Sequence, residues 1–238
     1  MTIKDGPQPD PWELVGGTDW ALLEHACGSA AESPGLLVGL LADDPGMQAR
    51  ALRHLHDPVH HQNTIYSATV PAALYVAAAL GDPRTATALP ARELGGAYPL
   101  RAALLDWLGS VATEVGNEAE SVMARLGLCL AEHPESVAVR ALRPALFRVV
   151  SGFLHDPDPA VQAAAIAAAV PLLDAPELLR HRAALAPLMR EVLAADDNRS
   201  QRAITAYGLA TWGEDRDAVQ AVQGPAPWAE GCGSEPPF

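Results

Sequence analysis

Residues 143–173 read RPALFRVVSGFLHDPDPAVQAAAIAAAVPLL, and the reading of this stretch decides the fold. A proline-led apolar segment runs into the acidic turn at Asp156, and Asp158-Pro159 then opens a second apolar segment. Aspartate at a helix start accepts hydrogen bonds from backbone N–H groups that have no intrahelical partner, and proline at the first helical position sacrifices no bond. The stretch therefore predicts two helices joined by a tight turn. The second is rich in alanine (Ala163, Ala164, Ala165, Ala167, Ala168, Ala169), so its axis can approach a neighbour closely.

The same unit recurs along the chain. It reads SPGLLVGLLADDPG from Ser33, VPAALYVAAALGDPR from Val70 and APLMREVLAADDN from Ala186, with a looser copy, YPLRAALLDWLGSVATEVGN, from Tyr98. The closing turns fall at Asp43, Gly81, Gly116, Asp156 and Asp196, a period of roughly 35 to 40 residues, in the range of two-helix repeats. Second helices open again at DPGMQARALRHL from Asp44 and DNRSQRAITAYGLA from Asp197. Each hairpin carries an apolar stripe that only its neighbours can cover, so the expected architecture is a stack with one continuous core. No linker-like break interrupts the period.

Composition agrees. The chain is 49% hydrophobic but only 5% aromatic, its apolar mass lying mostly in Ala, Leu and Val, and strand-like alternation is scarce, so an all-α fold is expected. The net charge is -13. Such a field repels a phosphate backbone and suits solubility or a basic protein partner. Cys27, Cys129 and Cys232 are odd in number and lack metal-ligand spacing; they read as small buried apolar residues in a reducing cytoplasm. No apolar run is long enough to span a membrane.

The ends differ from the middle. Residues 1–11 read as a flexible arm, residues 12–222 as a single repeat domain, and residues 223–238 as a loose Pro/Gly-rich tail that Trp228 could pin back. The segment TDWALLEHACGSA reads as the first helix with Thr18 as N-cap, and a partial helix is expected near 215–222.

The Asp-Pro helix starts at Asp44, Asp82 and Asp158, with the runs Arg50-Ala51-Leu52 and Gln201-Arg202-Ala203-Ile204, resemble those of HEAT-like repeat proteins over roughly residues 18–215. The junction HHQNTIYSATVP is similar to one in uncharacterised bacterial HEAT proteins. The resemblance implies a right-handed α-α superhelix of about five to six hairpins, and it brings no reaction with it. It implies a concave wall that binds another protein, with Tyr75, Asp106, Arg148, Ser151, Arg190 and Glu191 facing it. A small acidic solenoid also suits an immunity- or antitoxin-like protein that caps a basic toxin. Some HEAT-like proteins are instead DNA glycosylases with a basic groove, aromatics and a carboxylate; Trp107 with Asp106, Arg148, Arg190 and Glu191 is the matching set here.

One stretch invites a different chemistry. HLHDPVHHQNT, residues 54–64, holds four of the eight histidines. A catalytic zinc needs three converging ligands and an open position, but His54 and His56 diverge on a helix and His60 and His61 are adjacent. The preferred reading is a junction: histidines at a helix C-terminus, a stop at Asp57-Pro58, and a loop edge where His60, His61, Gln62 and Asn63 cap neighbours or touch a partner. No metal, cofactor or nucleotide motif is expected, and neither GxSxG nor a phosphate-binding loop is present. His25 and Cys27, read as lying on one helix, diverge there.

Overall fold

The computed structural model describes residues 9–91, 96–195 and 198–214. Among these the chain is mostly helical, with two short β-hairpins. The arm before residue 9, the expected helix at 215–222 and the tail with Trp228 and Cys232 lie outside the described residues.

Helix α1 (Pro11–Gly17) starts on an Asp10 cap, at the last residue of the arm expected over residues 1–11. The segment that follows is not a helix. Thr18 sits at the C-terminal end of α1 and its hydroxyl donates to the Leu14 carbonyl at 2.8 Å. A 3-10 turn at Trp20–Leu22 and the hairpin of β1 (Glu24–His25) and β2 (Gly28–Ser29) come next. The physical reason is long-range. The Ala26 N–H donates to Pro58, the Ala68 N–H to Glu24, and the Ser67 hydroxyl accepts from the Glu24 N–H. His25 and Cys27 thus lie in a β-turn, where the Cys27 N–H donates to His25 Nδ1 at 3.2 Å. Cys27 and Cys129 are exposed free thiols, which corrects their reading as buried residues.

The expected helix starts at Asp44 and Asp158 are found, and the one expected from Asp197 is capped by Asn198; each side chain accepts from backbone N–H groups of the first turn. They open α3 (Pro45–His54), α8 (Pro159–Leu172) and α10 (Arg199–Thr211). Asp82-Pro83 opens only a 3-10 turn, Pro83–Ala86. The short α2 (Ser33–Leu37) and α4 (Thr69–Ala79) precede the hairpin β3 (Ala88–Ala91)–β4 (Gly96–Pro99), where Leu89 pairs with Tyr98. Then follow α5 (Leu100–Thr113), α6 (Asn117–Arg125), α7 (Pro134–Val150) and α9 (Arg182–Ala195). Pro144 and Pro187, read as helix-leading residues, lie inside α7 and α9. A proline inside a helix costs about 3 kcal/mol, and burial of Leu142, Leu146, Leu185 and Met189 around them offsets it.

The helices pack in two rows. Among the described residues helix α5 packs most extensively along α8, and α8 continues to α10; α4 packs against α7 in the other row. Helices α4–α5, α7–α8 and α9–α10 pair across the rows. Helix α5, read as a copy of α4 and α7, belongs to the row of α8 and α10, and α6 is an excursion with no buried residue. One continuous core runs from Trp20 to Leu209. The alanines of α8 do what their size allows: a Cβ on Gly109 of α5 would lie 2.9 Å from the Ala168 Cα.

Candidate functional site

The histidine stretch joins α3 to α4. Pro58 has no N–H to donate, and instead of stopping, the helix widens into a π-turn over Leu55–Val59. His54 is buried, with Nε2 2.8 Å from the Ser33 hydroxyl and its ring edge-on to His25 at 5.7 Å. His25 Nε2 in turn lies 2.8 Å from Glu32. His60 is buried edge-on against Trp107, and burial pushes its imidazole down to about 4. His61, Gln62 and Asn63 are exposed, the last two in left-handed conformation with φ of 49° and 60°. The Thr69 hydroxyl donates to the Val59 carbonyl at 2.6 Å and accepts from the Tyr66 N–H at 2.9 Å, which closes the loop.

The remaining candidate residues do not form one wall. Tyr75, on α4, is fully buried, and burial pushes its phenol up to about 12. Trp107 is fully buried in α5. Their expected exposure is corrected: the stripe of each of these helices is wider than its sequence periodicity suggests, because neighbours cover it from both rows. Asp106 is half-buried and accepts from the Tyr98 hydroxyl and the Gln201 amide, both at 2.8 Å. Arg148 is exposed, with the Ser151 hydroxyl donating to its carbonyl at 3.0 Å. Arg190 is exposed and pairs with Glu214 at 3.1 Å, and Glu191 is exposed. Arg148 and Arg190 stand on α7 and α9, whereas Asp106 and Trp107 stand on α5. The structure does not bring the glycosylase-like set together.

A cavity that it does assemble lies at the edge where the histidine loop ends. A space of 470 Å³ is lined by Asn63, Thr64 and Ile65, by Glu114 at the end of α5, by Glu118, Val122 and Met123 of α6, and by His133 and Glu135 at the start of α7. It holds three carboxylates and neither lysine nor arginine. Burial holds the Glu114 carboxyl above the usual range. Val122, which lines it, is exposed, and so are Leu126, Leu128 and Val137 in the same stretch of chain. Arg140 clamps Glu120 through two hydrogen bonds, 3.0 and 2.6 Å, and fixes α6 against α7.

Of these residues the sequence reading had singled out only Asn63 and Thr64, in the histidine loop. The signal was present in residues 113–136, which carry five glutamates against a single arginine beside unpaired apolar residues. Periodicity absorbed it as the tail of a repeat.

No protein-family model, no curated protein and no solved structure matches this chain.

Proposed function

We propose that this protein is a non-enzymatic, HEAT-like scaffold that receives a basic segment of a partner protein at the α5–α6–α7 edge. The observation that carries the reading is the 470 Å³ cavity with Glu114, Glu118 and Glu135 set beside Ile65, Met123 and the exposed Val122, with no lysine or arginine among the described residues that line it. Apolar area supplies affinity at such a surface, and the carboxylates select and steer a cationic partner. The two helical rows support the repeat-protein reading, and an immunity- or antitoxin-like pairing with a basic toxin is its more specific form. Phosphate is repelled by the same charges.

The experiment is capture from native lysate by the wild type and by the triple variant Glu114→Gln, Glu118→Gln, Glu135→Gln. A stoichiometric basic protein, retained by the wild type, lost by the variant and released as salt approaches about 0.5 M, is the expected result. No stoichiometric partner, together with tight binding of alkylated DNA, would overturn the reading.

A further inference from the structure

A second cavity, of 350 Å³, opens between α8 and α10 beside the N-terminus of α6. Its floor is apolar, formed by Val170, Pro171 and Ile204; Tyr207 and Trp212 stand at its rim with the carboxylates Glu118 and Asp174. Among the described residues that line it there is no lysine, arginine or histidine. A volume of this order matches the lower range of small-molecule sites, which combine apolar walls with a few polar anchors.

The two carboxylates are not equivalent. Asp174 is committed to the fold: Oδ2 accepts from the Asn117 N–H at 2.8 Å and Oδ1 from Arg182 at 3.0 Å. Glu118 is the available anchor. Its Oε2 accepts from the Tyr207 hydroxyl at 3.0 Å, while Oε1 lies 3.6 Å from the Arg125 guanidinium, and both partners of that pair are more than half exposed. Exposed pairs of this kind hold little energy, so a better-seated cation can displace Arg125. The aromatic rim adds apolar wall: the Arg182 guanidinium already lies 5.0 Å from the Trp212 ring centroid, so Tyr207 and Trp212 enclose the hydrocarbon and Glu118 supplies the charge.

We propose that this cavity binds a small organic cation with an apolar body, an amine on an alkyl or aryl chain, with Glu118 holding the ammonium and the α8–α10 floor holding the hydrocarbon. Such a group can arrive as a free amine or as a lysine side chain of a partner, and the chemistry of recognition is the same.

The test is titration calorimetry with 4-phenylbutylamine, 4-phenylbutanol and N-acetyl-lysine methylamide against the wild type, Glu118→Gln and Ala203→Trp. Ala203 is exposed and lines the cavity, so tryptophan there fills the space without entering the core. Phenylbutylamine is expected to bind about tenfold more tightly than the alcohol, to lose about tenfold in Glu118→Gln, and to bind Ala203→Trp undetectably while that variant keeps wild-type circular dichroism. Preference for the lysine derivative identifies a protein side chain as the source, and preference for phenylbutylamine a free amine. Equal binding of amine and alcohol, unchanged binding by Ala203→Trp, or no binding at millimolar concentration would overturn the site. Ala203→Trp leaves Glu114, Glu135 and Val122 untouched, so partner capture at the neighbouring edge is expected to survive it.

Discussion

The indole N–H of Trp107 donates a 3.0 Å hydrogen bond to the carbonyl of Leu55, 52 residues earlier in the chain, and so ties the centre of α5 to the start of the π-turn. Trp107→Phe keeps most of the ring and removes the donor. It leaves a buried carbonyl short of a partner, which costs about 1–3 kcal/mol. Trp107→Ala adds a cavity, and about 3–5 kcal/mol is expected. Denaturant unfolding of both variants measures the difference. Equal stabilities for wild type and Trp107→Phe would remove the bond from the account.

Gly109 faces Ala168 so closely that an added Cβ would meet the Ala168 Cα at 2.9 Å. Gly109→Ala gains helix propensity of about 1 kcal/mol but forces the α5 and α8 backbones apart. A net loss of about 1–2 kcal/mol is expected. Gly35→Ala in α2, with nothing within 4 Å of its Cβ, is expected to be neutral or stabilising by up to about 1 kcal/mol. The pair of melting temperatures decides whether close approach or propensity rules in α5.

His60 makes stability depend on pH in a defined direction. Burial depresses its folded pKa from 6.5 to about 4, so the native state holds it neutral while the unfolded chain takes up a proton. Its contribution is fully present above pH 6.5 and is lost as pH falls towards 4, about 3 kcal/mol across the window. His60→Phe keeps an aromatic ring against Trp107 and removes the titration. Stability of the wild type is expected to fall faster than that of His60→Phe between pH 7 and 4.5; parallel curves would refute the assignment.

Gln201 joins three elements through one amide, which donates to the Tyr98 hydroxyl and to Asp106, both at 2.8 Å. Gln201→Met preserves length and removes both donors, with an expected cost of about 1–3 kcal/mol. Tyr98→Phe is expected to couple to it by roughly 0.5–3 kcal/mol in a double-mutant cycle. Strict additivity would show that the network does not act as a unit.

How much of this was legible in the residues depended on the distance over which each feature is decided. Caps at Asp44 and Asp158 are settled within three residues of chain and were readable, and the cap at Asn198 lies one residue after the expected start. Pro144 and Pro187 were misread because burial against other helices outweighs the local cost of an interior proline. The acidic cavity was missed for another reason: its glutamates stand together in residues 113–136, where the period absorbed them, and only folding brings Ile65 beside them.

By itself, then, the sequence determined that the chain is helical, where its capped helices begin, and that α8 is small enough in side chain to be closely approached. These are properties of local propensity, hydrogen-bond capping and residue volume. Only the tertiary structure decided that residues 24–29 form a hairpin, that α5 joins the row of α8 and α10, that Tyr75 and Trp107 are core residues, and that glutamates from α5, α6 and α7 meet beside the histidine loop. In each case the deciding contacts join residues far apart in the chain, from the Ala26 N–H on the Pro58 carbonyl to the Gln201 amide on Asp106.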